Sequence, residues 1–148
     1  MNELLDHLKK RIAAEGPLSV ADYMTETLAN PKFGYYMIGD PLGKEGDFIT
    51  APEISQMFGE LIGLWCAVVW QQMGSPASIK LVEIGPGRGT LMADALKALT
   101  MVPAFLDAIE AHLIETSPAL IKRQQRNLAS LELSITWHES LAEMPEGP

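Results

Sequence analysis

Three alternating glycines, Gly85, Gly87 and Gly89, directly follow an apolar run that contains one acid, Glu83. Glycine lacks a Cβ and tolerates positive φ, so this backbone can turn sharply and approach a ligand closely. Residues 90–99 then carry strong helix formers with apolar residues at helical spacing, and a positive helix end lies beside the loop. The pattern predicts a strand, a ligand-binding turn and a helix.

The spacing of the glycines and the acid before them favour one cofactor over another. The dinucleotide fingerprint is Gly-x-Gly-x-x-Gly, whereas Thr90 stands at its last position here. Glu83 would also lie close to the negative pyrophosphate of NAD or FAD. S-adenosylmethionine has no phosphate, and Glu83 can bind its ammonium group directly or through water. We therefore expect S-adenosylmethionine at Glu83, Gly85, Pro86, Gly87 and Gly89, with a nicotinamide-dependent oxidoreductase as the alternative.

A second acid, Glu115, ends the apolar segment 111–115 that follows the predicted helix. In nucleotide-binding folds an acid roughly 20 residues beyond the glycines accepts hydrogen bonds from the ribose hydroxyls. We expect Glu115 to have this role. The alternative is a solvated acid before a helix that Ser117 and Pro118 begin.

The C-terminal half alternates strand and helix. A helix is predicted over 119–128 and a third strand over 133–137. Strands joined in this way are parallel, and ligands bind at their carboxyl ends. The third strand end lies in the segment His138 to Leu141, so Ser140 and Leu141 are predicted to flank the adenine ring of a bound nucleoside. An ordinary loop after a strand is the alternative.

The N-terminal half is predicted to be helical over 2–15, 19–28 and 53–73, with a long loop between the last two. The last helix is expected to bury a broad apolar face formed by Ile54, Met57, Phe58, Leu61, Ile62, Trp65, Val68 and Val69. Trp65, Trp70 and Cys66 are assigned to packing in the core or at its boundary, whereas Gly59 and Gly63 permit close helix packing. We expect a helical region over 1–76 and a cofactor-binding region over 77–148.

Composition narrows the function classes further. The 148 residues, 47% of them hydrophobic, can form a domain with a sizeable core. A net charge of -8 argues against a nucleic-acid surface, and the longest apolar run is too short to span a bilayer. The three histidines show no metal-ligand spacing, so no metal is expected. A single cysteine, Cys66, fits a reducing compartment.

Three motifs carry a family resemblance: residues 34–37, residues 46–60 from Gly46 to Glu60, and residues 82–89. Together they resemble the MidA-like family of S-adenosylmethionine-dependent methyltransferases, over about residues 4–148. The resemblance implies a class I methyltransferase sheet and dimethylation of an arginine in a respiratory complex I subunit. It also implies a cytoplasmic protein in a bacterium or a mitochondrial one in a eukaryote.

The resemblance also indicates catalytic candidates. A guanidinium is protonated, so a carboxylate must orient it and accept the proton when a methyl group is added. Asp47 and Glu53, within the motif 46–60, are the candidates in this chain. A turn acid for Asp47 and a helix N-terminal acid for Glu53 are the alternatives.

In the family this fold continues with further strands. We therefore expect an incomplete parallel α/β sheet of three strands with an N-terminal helical extension. The chain is expected to be a truncated product or one piece of a longer polypeptide. The chain alone is expected to bind the cofactor weakly and to transfer no methyl group. A non-catalytic assembly factor that keeps the fold to bind a partner is the second alternative.

Overall fold

The computed structural model describes residues 3–38, 43, 46–131 and 133–148. The chain divides into two compact units, residues 1–41 and 42–148. A functional division after residue 76 stays a prediction.

The first unit contains three helices: α1 (Glu3–Glu15), α2 (Val20–Leu28) and α3 (Tyr35–Ile38). The first two were predicted, although position 2 lies outside the described residues. The side chain of Ser19 caps α2 by accepting a hydrogen bond from the backbone N–H of Asp22 (3.0 Å). The two helices are joined by Glu26, whose carboxylate accepts hydrogen bonds from His7 and Arg11, each at 2.8 Å. The helix α3 lies where the sequence predicted only loop.

The second unit is an α/β layer. Its elements are α4 (Ala51–Ile54), α5 (Gln56–Gln72), β1 (Ile79–Ile84), α6 (Thr90–Leu99), α7 (Pro103–Ala108), β2 (Ile109–Ile114), α8 (Pro118–Leu128), β3 (Ile135–His138) and a 3-10 turn (Leu141–Glu143). The strands are parallel in the order β1-β2-β3, which confirms the predicted fold class. The short helix α7 was not predicted, and the second and third strands are shifted by a residue or two from their predicted bounds.

The register brings the carboxyl ends of the strands together. Ile84 lies beside Ile114, which lies beside His138. The N–H of Gly85 donates to the carbonyl of Ile114 (2.9 Å), and the N–H of Glu115 donates to the carbonyl of His138 (3.0 Å). The three segments that follow the strands therefore begin side by side.

The helix α5 packs the opposite way from the prediction. Its buried residues are Gly59, Gly63, Ala67 and Trp70, whereas Trp65 is 61% exposed. The other residues of the predicted buried face are also exposed, except Val69, which is half-buried: Ile54 of α4 and Met57, Phe58, Leu61, Ile62 and Val68 of α5. A Cβ on Gly63 would lie 2.7 Å from the carbonyl oxygen of Ala95 in α6. Close packing at the two glycines is confirmed. The prediction that Trp65 lies on the buried face is wrong, because α5 contacts α6 through its small residues.

The predicted helix over 53–73 is also two helices rather than one. The extended backbone of Ser55, with ψ of 126°, separates α4 from α5. This break leaves Glu53 in a separate short helix, where its side chain contacts Thr90 at the start of α6.

The core is formed by the strands and the helices α5 to α8. Its most completely buried large side chains are Leu96, Leu99, Phe105 and Leu113. Trp70 stacks on Phe105, with ring centroids 5.2 Å apart, and donates its indole N–H to the carbonyl of Pro76 (2.9 Å). This core fixes β1 and α6 on either side of the glycine loop.

Within the described residues β1 has one strand neighbour, β2, and forms an edge of the sheet. The backbone N–H of Lys80 in β1 donates to the carbonyl of Pro148 (2.9 Å). Val82 and Ile84 on β1 are exposed. The candidate site therefore lies at the carboxyl end of an edge strand.

Candidate cofactor site

The glycine loop between β1 and α6 adopts the conformation that the sequence requires. Gly85 and Gly87 have φ of +66° and +54°, values that side-chain-bearing residues rarely adopt. A cavity of about 340 Å³ opens beside the loop. Its lining comprises Thr50, Pro52, Glu53, Glu83, Ile84, Gly85, Pro86, Gly87, Arg88, Thr90 and Leu91. Four of the predicted cofactor residues thus share one cavity.

Glu83 is the charged group of β1 that lines this cavity. Burial raises the pKa of its carboxyl to about 7, against an ordinary value of 4.5, and a hydrogen bond from the backbone N–H of Met92 only partly offsets that rise. One carboxylate oxygen, Oε2, is enclosed and has no hydrogen-bond partner. A buried carboxylate oxygen without a donor is costly, so this position fits a ligand cation.

Glu115 lies directly after β2 and is only 8% exposed. Its Oε1 accepts hydrogen bonds from the backbone N–H groups of Thr116 and Ser117, both at 2.9 Å. Its Oε2 accepts one from the side chain of Gln124 (3.2 Å). Ser117 caps α8, as predicted. Since Oε1 of Glu115 accepts two of these hydrogen bonds and Oε2 accepts one, a further donor would bind mainly at Oε2.

Gln124 contacts two of the predicted cofactor residues, and the sequence patterns did not indicate it. It is fully buried on α8, and its Nε2 also donates to the carbonyl of Gly87 (2.8 Å). Its Oε1 accepts from the indole N–H of Trp137 in β3 (2.9 Å). The available signal was its spacing, because Gln124 falls between Leu120 and Leu128 on the buried stripe of α8.

The two catalytic candidates lie in different surroundings. The carboxylate of Glu53 accepts a hydrogen bond from the hydroxyl of Thr90 (2.6 Å) and pairs with the guanidinium of Arg88 (3.5 Å). A Cβ on Gly43 would collide with that same guanidinium. Glu53 lines the cavity, whereas Asp47 is exposed and lies outside its lining.

The adenine-side candidates follow β3. Ser140 precedes the 3-10 turn that begins at Leu141, and both residues are exposed and lie outside the cavity lining. His138 at the strand end contacts the buried His112 of β2, with Nε2 and Nδ1 2.9 Å apart. The structure places Ser140 and Leu141 after the carboxyl end of β3, and neither lines the cavity beside the glycine loop.

Comparison with known proteins identifies the family. A family model described as "Putative S-adenosyl-L-methionine-dependent methyltransferase" matches residues 61–148, more than half of the chain. The chain belongs to this family. The MidA-like resemblance is thereby confirmed.

Curated relatives are similar over almost the whole chain. The mitochondrial protein arginine methyltransferase NDUFAF7 of Xenopus laevis is 48% identical over 136 residues, which cover 90% of this chain and 31% of the relative. The human protein of the same name is 40% identical, with 97% of this chain and 38% of the relative covered. This chain therefore spans less than two fifths of the length of these relatives.

A solved structure is similar in fold as well as in sequence. It is a protein from Burkholderia thailandensis, described as a "likely methyl transferase" and bound to S-adenosyl-homocysteine. The TM-score is 0.81 and the identity 30%, over 98% of this chain and 39% of that protein.

In the part of the chain that the structure describes, no helix combines the length and the apolar character that crossing a membrane requires.

Proposed function

We propose that this chain forms the cofactor-binding part of an S-adenosylmethionine-dependent protein arginine methyltransferase. The observation that carries the proposal is the carboxylate of Glu83, which lines the same cavity as the glycine loop and has no hydrogen-bond donor for its Oε2. The methionine end of the cofactor carries an ammonium group, which would supply the missing donor. A dinucleotide would instead bring a pyrophosphate toward the Glu83 carboxylate.

Each predicted cofactor residue has a part in this proposal. When bound, the cofactor supplies an electrophilic methyl group. Glu83 binds the ammonium, and Gly85, Pro86 and Gly87 let the backbone approach the ligand. Gly89 is the N-cap residue of α6, whose positive end favours the ligand carboxylate. The Oε2 atom of Glu115 accepts a hydrogen bond from a ribose hydroxyl. Ser140 and Leu141 flank the adenine ring.

At the substrate end we assign guanidinium binding to Glu53, with Asp47 as the second candidate. A guanidinium that gains a methyl group gives up a proton, so the carboxylate that orients it also has a proton-accepting role. The existing ion pair of Glu53 with Arg88 supports this assignment, because it is a guanidinium–carboxylate contact beside the cavity. A substrate arginine would exchange with Arg88 at that carboxylate.

The substrate class rests on the relatives, which are named protein arginine methyltransferases. We propose a protein substrate, and more specifically an arginine of a respiratory complex I subunit. The eukaryotic relatives are named mitochondrial. The corresponding compartment for this protein is the mitochondrion in a eukaryote and the cytoplasm in a bacterium. Mass spectrometry of methylarginines in a deletion strain tests the substrate, since a complex I subunit should lose its dimethylarginine.

Thermal-shift measurements test the cofactor, with S-adenosylhomocysteine or NADH added to wild type and to the variant Gly87→Val. Wild type should be stabilised by S-adenosylhomocysteine and not by NADH, and Gly87→Val should lose that response because valine is strained at positive φ. Gly74→Val is the matched control, since Gly74 has φ of +89° at the far end of α5. Stabilisation by NADH alone would replace the proposal with an oxidoreductase.

The same variant separates an enzyme from an assembly factor. A methyltransferase loses both cofactor binding and its cellular effect with Gly87→Val. An assembly factor that keeps the fold only to bind a partner would still restore complex I assembly in the deletion strain. That second result would contradict the catalytic part of the proposal.

A further inference from the structure

The three partners of the Gln124 side chain fix the orientation of its amide. The carbonyl of Gly87 and the carboxylate of Glu115 can only accept, so the amide nitrogen must face both, at 2.8 and 3.2 Å. The indole of Trp137 can only donate, so it must reach the amide oxygen, at 2.9 Å. These partners belong to the glycine loop, the end of β2 and the strand β3. One buried side chain therefore joins the three segments at the carboxyl edge of the sheet.

The effect on Glu115 is specific. The backbone N–H groups of Thr116 and Ser117 hold Oε1, and Gln124 holds Oε2, so the carboxylate plane is fixed from both ends. The side chain of Gln124 also packs against Gly89, where a Cβ would lie 3.4 Å from its Cγ. Gln124 thus fixes the orientation of the free lone pair on the Glu115 carboxylate. It also fixes the position of the glycine loop relative to that carboxylate.

We propose that Gln124 is a positioning residue for the nucleoside part of the cofactor, acting through the Glu115 carboxylate and the Gly87 carbonyl. The proposal rests on the proposed cofactor and extends it to a residue that contacts no reacting atom. No other natural side chain of this length offers two N–H donors and an acceptor in one planar group. Gln124 couples the ribose contact to the shape of the glycine loop.

The variant Gln124→Glu tests this coupling with almost no change in volume. The ionised carboxylate that this substitution introduces would face the carboxylate of Glu115, the titratable side chain among the partners of Gln124, and the carbonyl of Gly87. At about pH 8 we expect S-adenosylhomocysteine to bind about tenfold more weakly than to wild type. At about pH 5.5 protonation restores one donor, so the ratio to wild type should shrink to about two- to threefold. Using the ratio removes the pH dependence that Glu83 contributes to both proteins.

Gln125→Glu is the matched control, since Gln125 is the exposed neighbour on the same helix and the change of charge is the same. Its affinity should follow wild type at both values of pH. Ligand-observed NMR suits the measurement because it detects weak binding. An equal loss of affinity for Gln124→Glu at both values of pH, with the fold intact by circular dichroism, would mean a packing role only and overturn the proposal.

A second readout uses the protein without ligand. The amide signals of Thr116 and Ser117 and the indole signal of Trp137 should shift with pH in Gln124→Glu and not in Gln125→Glu. If the two variants titrate alike, Gln124 does not position Glu115 and the proposal is overturned. If wild type fails to bind S-adenosylhomocysteine, the proposed cofactor is wrong, while these signals still decide whether Gln124 orients the carboxylate.

Discussion

At the scale of single residues, Glu83 has the most consequential environment in the site. Its raised pKa means that the folded protein binds more protons than the unfolded protein between about pH 4.5 and about pH 7. The contribution of this carboxyl to stability therefore falls as the pH rises through that window and stays low above it. A ligand cation that pairs with the ionised carboxylate would reverse this loss.

We predict two results for Glu83→Gln. Without ligand, the variant should be more stable than wild type at about pH 8 by about 1–3 kcal/mol, because it has no charge to bury. Its affinity for S-adenosylhomocysteine should be about tenfold lower at that pH and should no longer rise between about pH 6 and pH 7.5. Urea denaturation and calorimetric titration across this range measure both.

The comparison must be made as a difference between variant and wild type. Burial and the neighbouring His138 lower the pKa of His112, so that group adds stability as the pH rises, opposite in sign to Glu83. Glu146→Gln, on the exposed C-terminal segment, is the control for removing a carboxylate. A wild-type affinity that does not change with pH would contradict an ammonium contact at Glu83.

Single residues also show what the sequence could and could not predict. The sequence indicated Glu83 and the glycines as cofactor residues because their order along the chain forms a recognisable pattern. Gln124 was missed because its partners, Gly87, Glu115 and Trp137, are up to 37 positions away in the chain and meet only in the folded sheet. A polar residue on an otherwise apolar stripe was the one local indication.

At the scale of elements, α5 is the helix whose orientation the sequence concealed. Its large apolar residues formed a convincing stripe, but its glycines form the face that approaches α6. Hydrophobic periodicity ranks faces by residue size and polarity, whereas close packing of two helices depends on small residues. The two criteria indicate opposite faces of α5. The helix itself was therefore predicted correctly, but its buried face was predicted wrongly.

Two tryptophans on α5 test this orientation directly. Trp70→Ala should cost about 3–5 kcal/mol, because it removes a buried ring stacked on Phe105 and leaves a cavity. Trp65→Ala, on the same helix but 61% exposed, should cost less than about 1 kcal/mol. Urea denaturation followed by far-ultraviolet circular dichroism compares them. Equal costs for the two substitutions would mean that Trp65 is buried.

At the scale of the whole molecule, the described site is open along the strand β1. The strands β2 and β3 and the helix α8 support the glycine loop from one flank. On the other flank β1 is an edge strand, and Ile84, which lines the cavity, is 64% exposed. The relatives are more than twice as long as the segment that matches this chain.

We therefore predict that this 148-residue chain binds S-adenosylhomocysteine at least about tenfold more weakly than a full-length relative and transfers no methyl group. An exposed cavity wall excludes less water from the ligand, which weakens each polar contact within the site. Calorimetric titration measures the affinity, and incorporation of a labelled methyl group into protein measures transfer. The Burkholderia thailandensis relative, cut to the segment that matches this chain, is the control, because cutting it should cause the same loss. Tight, stoichiometric binding by this chain would show that the part of the relatives outside the matched segment is not needed to bind the cofactor.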